Sequence, residues 1–404
     1  MIEGQVNEGL QALIGASESE KDARGTRYTP HEILRQPSTW QQTYKICAER
    51  RPELGEFLRA AGIGAAQASR EAARPTVFLV GAGTSDYVGR SLTAVLHRLW
   101  GCEVSAVPST DLLTNLEDLV FADRPYLWVS FSRSGDSSEG LAVLESAIEK
   151  YPQVRHLVVT CNKQGRMAAI SKKHPDSTFL LALDDFANDR GLAMTSSYTN
   201  MVVAGHCLAH TFSPDNYEEP FSILLQAGEG FLERAQEVAA AIAQEEFSKA
   251  CFVGSGVLRA VALESALKLL ELTAGKINTL SESTLGLRHG PMSALDENTV
   301  FVSFLSRDLR RRNYELDLIK EVSRKRLVKL QIVVTPDSTN QLGQLADHVL
   351  SLDAPDLRDE YRAPVDVILA QLLGLFCSLR LGLQPDCPSP NGAISRVVSH
   401  VNIY

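Results

Sequence analysis

Strand-like segments recur along this chain at a nearly constant spacing. Gly254 follows Gly81 by 173 residues, and a short apolar stretch precedes each of these glycines. Two further pairs lie 173 and 175 residues apart, namely Phe131 with Phe304 and Thr160 with Thr335. Short apolar stretches rich in β-branched residues are typical of buried parallel strands. The spacing therefore predicts two similar halves, each built on a sheet of its own.

Strands and helices alternate within the first half. Strands are predicted at Thr76–Val80, Tyr126–Phe131 and Arg155–Thr160, and a helix is predicted from about Glu139 to Lys150. Alternation of this kind predicts a doubly wound parallel sheet with helices on its faces. The predicted fold class is therefore α/β, with two tandem lobes of the same design.

The predicted organisation has four parts. They are an N-terminal helical segment at 1–49, a first lobe at 50–215, a second lobe at 220–385 and a C-terminal tail at 386–404 that packs near the active site. The junction is predicted at 211–220 because this segment carries Pro214 and Pro220. In the N-terminal segment, Thr29 is predicted to cap a helix, with Glu32 closing a capping box.

Composition excludes several classes of protein. The 404 residues carry a formal net charge of −9, which argues against general nucleic-acid binding because that needs clustered cations. Seven cysteines without a CxxC pair indicate reduced thiols and a cytoplasmic protein. The first residues do not resemble a signal peptide, and no apolar run of membrane-spanning length is expected.

Two loops rich in Ser and Thr follow the first two predicted strands. Ligands bind at the carboxyl ends of the strands in a parallel sheet, so these loops are expected to share one edge. Glycines allow close backbone approach, and hydroxyls with helix N-terminal amides suit a phosphate. Ordinary use of these residues in turns and caps is the alternative interpretation. The candidate ligands are Gly83, Thr84, Ser85, Ser132, Ser134 and Ser137.

Two rival sites are weaker. A dinucleotide site needs a third glycine where Asp86 stands, and a carboxylate there would face the pyrophosphate. His206 and His210 have the spacing of metal ligands on one helix face, but no third ligand is evident. A packed helix explains this pair better, so no metal is predicted.

Acid–base candidates lie in the second half. Glu264, Lys268 and Glu271 share one helix face, and a surface ladder of ion pairs is the favoured interpretation of that spacing alone. The polar loop predicted at 281–291 contains His289, and an ordered polar loop of this length is often functional. The loop therefore favours a catalytic interpretation of the helix face.

At this point the residues resemble a known family. The sequences GAGTS at 81–85 and SRSGDS at 132–137 resemble the two phosphosugar loops of the sugar isomerase (SIS) domain. The doubled arrangement resembles the isomerase half of glucosamine-6-phosphate synthase. The sequences NDRGLAMTSS at 188–197 and PSPNG at 388–392 are similar to the AgaS subfamily of isomerases and deaminases. The resemblance covers the chain from Tyr28 to Tyr404.

The resemblance implies roles for single residues. Glu271 would move a proton between C1 and C2 of the sugar, with Lys268 beside it. His289 would open the sugar ring and would come from a neighbouring subunit. The resemblance also implies that the loop hydroxyls bind the 6-phosphate and nearby hydroxyl groups. The remaining substrate-binding candidates are Arg133, Thr195, Glu264 and Arg396.

Two departures from the synthase shape the expected function. The chain shows no glutaminase domain and no cysteine nucleophile at its start, and Arg133 stands where the synthase has glutamine. The resemblance then implies a sugar-phosphate isomerase–deaminase that converts galactosamine 6-phosphate to tagatose 6-phosphate and ammonia.

Several alternatives stay open. They are a ketose/aldose isomerase without deamination, a glucosamine-6-phosphate deaminase and a sensor without catalytic activity. No cofactor is expected, and the predicted partners are a sugar phosphate and further copies of this chain, as a homodimer or homotetramer.

Overall fold

The computed structural model describes residues 9–64, 74–337, 342–389, 391–398 and 401–404. Its strands form two separate five-stranded sheets, called here sheet A and sheet B. The chain divides into two compact units, each containing one sheet. The sheet-A unit comprises Ser38–Asn188, Ser196–Glu219 and Arg396–Tyr404, and the sheet-B unit comprises Met1–Pro37, Asp189–Thr195 and Pro220–Ser395.

Sheet A is parallel throughout, with strand order β2-β1-β3-β4-β5. Its strands are β1 (Thr76–Gly81), β2 (Val104–Pro108), β3 (Tyr126–Ser132), β4 (Val154–Thr160) and β5 (Thr178–Ala182). Strands β1 and β3 are neighbours, with Val80 opposite Ser130. Their carboxyl ends therefore lie side by side, which brings the two Ser- and Thr-rich loops to one edge of the sheet.

Helices cover sheet A and complete its core. They are α4 (Gln36–Ala60), α5 (Thr84–Trp100), α6 (Ser109–Leu119), α7 (Ser138–Lys150), α8 (Arg166–Lys173) and α9 (Ser196–Ala209). On one face, Trp128 packs against Phe78 and Tyr126 together with apolar residues of α6 and α7. This buried apolar layer fixes the strands that carry the loops.

Sheet B has the order β7-β6-β8-β9-β10 and is also parallel. Its strands are β6 (Lys249–Gly254), β7 (Asn278–Ser283), β8 (Thr299–Phe304), β9 (Leu330–Thr335) and β10 (His348–Ser351). If the strands of each sheet are numbered from 1 along the chain, both sheets have the order 2-1-3-4-5. The predicted α/β class with two parallel sheets is confirmed.

The sheet-B unit contains most of the remaining helices. They are α1 (Leu10–Gly15), α2 (Glu18–Arg24), α3 (Thr29–Leu34), α10 (Asp215–Gln244), α11 (Leu258–Leu272), α12 (Leu309–Lys325), α13 (Ala363–Asp366) and α14 (Ile368–Arg380). Two of the unit boundaries fall inside helices, between residues 37 and 38 in α4 and between residues 219 and 220 in α10. Short 3₁₀ turns lie at Asp185–Ala187, Gly286–Arg288, Pro291–Ala294, Leu342–Gln344 and Asp359–Tyr361.

Both sheets turn from their first strand into a helix around a glycine. A Cβ atom at Gly81 would lie 2.4 Å from the backbone carbonyl carbon of Ser85. At Gly254 it would lie 2.4 Å from the backbone oxygen of Leu258. Backbone this close excludes any side chain, so both turns require glycine.

The segment Ala363–Arg380 has the length and mean hydropathy, 1.5, of a membrane span, so the expectation that no apolar run reaches this length is wrong. Within the described residues it is the one helix that passes this test, and 89% of it is buried inside the protein. Burial of this extent is typical of a core helix, and helix α14 packs against α11.

The predicted capping box at Thr29 and Glu32 is wrong. Tyr28, not Thr29, precedes helix α3, and the Thr29 hydroxyl donates to the Asp386 carboxylate at 2.7 Å. Glu32 accepts the backbone N–H of Arg190 at 2.6 Å instead of one from its own helix. The side chains have the residue types of a capping box, but groups distant in sequence bind them.

Two predicted loops contain regular structure. The sequence predicts a polar loop at 281–291, but residues up to Ser283 form the edge strand β7. The sequence also predicts a junction at 211–220, but helix α10 begins at Asp215 and continues through Pro220. Pro220 is the sixth residue of α10, beyond its first turn, so the helix continues through it without one intrahelical hydrogen bond.

Candidate active site

The first candidate loop lies between β1 and α5. Gly83 has a φ of +55° and leaves open space where a side chain would stand. Thr84 and Ser85 form the first turn of α5 and are both largely buried. The amide of Ser85 donates to the Ala82 carbonyl at 3.1 Å, so the contribution of Ser85 to a ligand would come from its hydroxyl.

The second candidate loop lies between β3 and α7 and is held by its own hydroxyls. The Ser132 hydroxyl accepts the N–H of Gly135 at 3.0 Å, and that of Ser134 accepts the N–H of Asp136 at 3.2 Å. Each oxygen acts as an acceptor, so its proton can be donated to a ligand. Ser137 precedes α7 and makes no capping bond with its side chain.

Neighbouring segments of the same unit fix this loop from outside. The side-chain amide of Asn162 donates to the Ser134 carbonyl at 2.9 Å, and the Met167 amide donates to the Gly135 carbonyl at 2.9 Å. Both carbonyls are therefore already occupied as acceptors, which leaves the loop hydroxyls as donors for a ligand.

The C-terminal tail contacts the second loop. The guanidinium of Arg133, which is buried, donates to the carbonyl of Arg396. The amide of Ser138 donates to the Val398 carbonyl at 3.4 Å, and the Arg396 side chain donates to Asn188 at 2.8 Å. Arg133 thus binds the tail here, and Arg396 is anchored beside the loop.

Asp86, at the position where a dinucleotide site has its third glycine, lies on the buried side of α5. Its carboxylate pairs with Arg90 at 2.7 Å, and burial raises the pKa of Asp86 above its usual value. A buried carboxylate that is already paired stabilises the helix but offers nothing to a pyrophosphate. The expected clash between this carboxylate and a pyrophosphate is therefore not seen, and the argument against a dinucleotide rests on the missing third glycine.

The acid–base candidates on α11 do not form a surface ladder. Lys268 and Glu264 are completely buried, and their side chains lie 3.4 Å apart. The Glu271 side chain is 24% exposed, and its carboxylate accepts a hydrogen bond from the Lys268 ammonium at 2.5 Å. The favoured interpretation from spacing alone is therefore wrong, because a buried ammonium joins two carboxylates and only one of them reaches the surface.

His289 lies after β7, in the segment between two 3₁₀ turns, and is exposed. Its amide donates to the Gly286 carbonyl at 2.9 Å, which holds the backbone in a turn. Gly290 follows with a φ of +122°, a conformation that side chains rarely adopt. The imidazole is thus presented outward on an ordered turn of the sheet-B unit.

Thr195 is fully buried, as Glu264 is. Its amide donates to Asp189 at 2.8 Å and its hydroxyl donates to the same carboxylate at 3.1 Å. Both polar groups of Thr195 are therefore used inside the protein. These contacts support a structural role for the segment that contains it.

His206 and His210 both pack on Tyr217. The His206 ring lies 3.1 Å from the Tyr217 hydroxyl, and the His210 ring stacks on Tyr217. Over the described parts of the chain, no group of three or more His, Cys, Asp and Glu side chains is arranged to hold a metal ion.

Comparison with known proteins decides the family. Residues 242–375 match the model of the SIS domain. A Streptomyces coelicolor relative of the AgaS group is 37% identical over 379 residues, which is 93% of this chain and 95% of that protein. The Escherichia coli protein named D-galactosamine-6-phosphate deaminase AgaS is 34% identical, covering 95% of this chain and 96% of its own. This chain belongs to the AgaS family.

A solved structure agrees with the assignment. The Escherichia coli crystal structure described as tagatose-6-phosphate ketose/aldose isomerase has a TM-score of 0.83 and 31% sequence identity. The match covers 94% of this chain and 98% of that one. The resemblance to AgaS proteins inferred from sequence motifs is confirmed.

The AgaS-like motif at 188–197 contains a polar cluster that sequence reasoning missed. Glu32 accepts the amides of Arg190 and Gly191, while Asp189 accepts the amide and the hydroxyl of Thr195. Burial, followed by the charge of Asp189, raises the pKa of Glu32 to about 8. Long-range polar pairs of this kind leave no periodic pattern in a sequence.

Proposed function

We propose that this member of the AgaS family deaminates galactosamine 6-phosphate to tagatose 6-phosphate and ammonia. The observation that carries the proposal is identity of 34% over nearly the whole length of a protein named D-galactosamine-6-phosphate deaminase AgaS. The loop hydroxyls, Glu271 and His289 support it because each has the chemistry that the reaction needs.

The sheet-A loops would hold the 6-phosphate. Their hydroxyls at Ser85, Ser132, Ser134 and Ser137 are donors to an anion, and Gly83 lets an oxygen approach the backbone. Thr84 stands beside Ser85 on the first turn of α5, whose dipole also favours an anion. A site of this kind binds phosphate with few cations, which agrees with the acidic composition of the chain.

Glu271 would transfer the proton. In the open-chain aldose, its carboxylate removes the proton from C2 and returns it to C1, which leaves an imine at C2. Water then adds to the imine carbon and ammonia leaves, so the balance is one water consumed and one ammonia released. Lys268, held by Glu264, would keep the Glu271 carboxylate in position.

His289 would open the sugar ring, and we propose that it acts on a substrate bound by another subunit of a homodimer or homotetramer. Its exposure on an ordered turn supports this role. We propose that this hydrolytic release of ammonia takes place in the cytoplasm. All seven cysteines are free thiols, which supports a reducing compartment.

Isomerisation without deamination is the second candidate. It is favoured by the likeness to the Escherichia coli structure described as tagatose-6-phosphate ketose/aldose isomerase. The two reactions share the C1–C2 proton transfer and differ in whether the substrate carries nitrogen at C2. Glu271 would serve as the base in either reaction.

Ammonia release from galactosamine 6-phosphate and glucosamine 6-phosphate, measured side by side, tests the proposal. The wild type is expected to release ammonia from the first substrate, and Glu271→Gln is expected to bind substrate without turnover. Glu233→Gln, an exposed position on α10, serves as the matched control and should retain full activity.

No ammonia from either substrate would overturn the deaminase proposal. Conversion of tagatose 6-phosphate by the same preparation would then establish the isomerase. Sugar-phosphate binding by both wild type and Glu271→Gln, without any turnover by the wild type, would indicate a sensor.

A further inference from the structure

The sheet-B unit contains a counterpart of each phosphate-binding loop. Gly256 has a φ of +58° just before α11, as Gly83 has +55° before α5. The segment Leu305–Asp308 joins β8 to α12, and β6 and β8 are neighbours with Val253 opposite Ser303. Donors from both segments therefore meet at the carboxyl edge of sheet B.

The segment Leu305–Asp308, called here the β8 segment, already has its donors bound by a carboxylate of the same unit. Asp359 accepts the Ser306 hydroxyl, and it accepts the Arg307 amide at 2.8 Å. The guanidinium groups of Arg362 and Arg311 lie 3.3 and 3.5 Å from it. One hydroxyl, one backbone amide and two guanidinium groups form a donor set that also suits a phosphate.

A second carboxylate, that of Glu315, accepts a further amide of the β8 segment. Glu315 of α12 is completely buried and accepts the Ser306 amide at 2.7 Å. The Ser255 hydroxyl, in the glycine turn after β6, donates to the Thr284 hydroxyl at 3.1 Å and not to a carboxylate. Two carboxylates of the protein, Asp359 and Glu315, thus bind donors of the segment that follows β8.

The matching loops of the sheet-A unit differ in this respect. Ser132 and Ser134 accept amides of their own loop and bind no carboxylate among the contacts that the structure describes. The Arg311 side chain also lies 3.7 Å from where a Cβ of Gly256 would stand, over the glycine turn. Among the contacts that the structure describes, internal carboxylates therefore bind the Ser306 hydroxyl and the Arg307 amide, but not the hydroxyls of Ser132 and Ser134.

We propose that the Asp359 carboxylate stands where a phosphate would bind in the sheet-B unit, and that it thereby prevents this unit from binding one. The chain then binds one sugar phosphate, through the sheet-A loops, and the proposal rests on the phosphate-binding role given to those loops above. Removal of the Asp359 carboxylate uncovers a site for inorganic phosphate or sulfate. Such a site is reachable, because the side chain of Arg311 is half exposed.

Chemical rescue of Asp359→Ala tests the inference. The variant leaves two guanidinium groups without their shared anion, so its melting temperature should fall by several degrees in chloride. Inorganic phosphate at equal ionic strength should restore most of that loss and should raise the wild-type melting temperature far less. Equal shifts in both proteins would contradict the proposal.

Asp366→Ala is the matched control. Asp366 also pairs with Arg362, at 3.0 Å, but it is fully buried, and no hydrogen bond joins it to residues 305–308 among the contacts that the structure describes. This variant should lose stability without selective recovery in phosphate. Recovery equal to that of Asp359→Ala would show that the charge of Arg362 alone is responsible, and would overturn the assignment of the loop.

A measurement on the wild type decides the matter if Asp359→Ala does not fold. Hydrogen exchange in inorganic phosphate should slow at residues 132–137 and stay unchanged at 305–308. Slower exchange at 305–308 would show that the segment is open to ligands and would refute the inference. Neither readout requires catalysis, so failure of the deaminase proposal would be seen separately, as an absence of ammonia release.

Discussion

The Lys268 ammonium is the most constrained group on helix α11. Its side chain is fully buried, and it lies between the buried carboxylate of Glu264 and the half-buried carboxylate of Glu271. Burying a charge is costly unless an opposite charge accompanies it. The three side chains are therefore one unit, and a change in one alters the other two.

Replacement of Lys268 by Met should reveal this dependence. The change leaves Glu264 buried without its cation, so the free energy of unfolding should fall by about 3 kcal/mol or more. Urea denaturation of Lys268→Met, Glu264→Gln and the double variant measures it. The double variant should recover part of the loss, since it removes the buried charge as well. Losses that simply add would show that the two side chains are independent.

Glu32 should make stability depend on pH. Its pKa is raised to about 8 by burial and by Asp189, far above its ordinary value of 4.5. In the unfolded chain Glu32 ionises first, so the folded state holds one more proton between these values. Stability should therefore fall as the pH rises from 5 to 8, by at most about 1.4 kcal/mol for each pH unit.

Glu32→Gln is the variant that tests this dependence. The amide keeps the shape of the side chain but cannot ionise, so its unfolding free energy should change less between pH 5 and pH 8. Urea denaturation of both proteins at several pH values measures the difference. Identical pH profiles would contradict the role given to Glu32.

At the scale of elements, the central strands are predictable from sequence and the edge strands are not. Strands β1 and β3 are buried on both faces, so their interior residues are almost all apolar. Strand β7 reads Asn-Thr-Leu-Ser-Glu-Ser and lies at the edge of sheet B, with no fully buried residue. Strand β7 forms because its backbone pairs with β6, which the local sequence does not reveal. A polar strand of this kind has the composition of a loop.

The glycine turns provide an element-scale prediction. Gly81→Ala and Gly254→Ala each place a Cβ 2.4 Å from backbone atoms, which cannot move without displacing the following helix. Each variant should lose about 2 kcal/mol or more of stability, because overpacking against backbone is not relieved by a side-chain rotation. Gly15→Ala, which meets no atom within 4 Å, should be nearly neutral in the same thermal melts. Equal melting temperatures for all three variants would show that the turns adapt.

At the scale of the whole molecule, each unit is assembled from segments distant in sequence. Hydrogen bonds from Tyr28 and Thr29 to Asp386 tie the N-terminal helices to the C-terminal part of the sheet-B unit. In the sheet-A unit, Arg133 binds the backbone of Arg396. The recurring strand ends predict two sheets, but single polar contacts between distant segments produce no repeat and no periodicity, so the sequence does not reveal them.

The proposed sharing of His289 between subunits predicts complementation. His289→Ala and Glu271→Gln should each be inactive as purified proteins. When the two are mixed and allowed to exchange subunits as dimers, half of the dimers become hybrids. Each hybrid contains one site with both changes and one with neither, so the mixture should recover about a quarter of the wild-type ammonia release.

A mixture of Glu271→Gln with Lys268→Met controls for nonspecific recovery. Both residues lie on α11, so every site of a hybrid contains one change and the mixture should stay inactive. Recovery only with the His289→Ala partner therefore requires a site completed by a second subunit. If the His289 mixture stays inactive after hybrids are demonstrated by native mass spectrometry, His289 acts on substrate bound to its own chain, and a monomer would contain every group that the reaction needs.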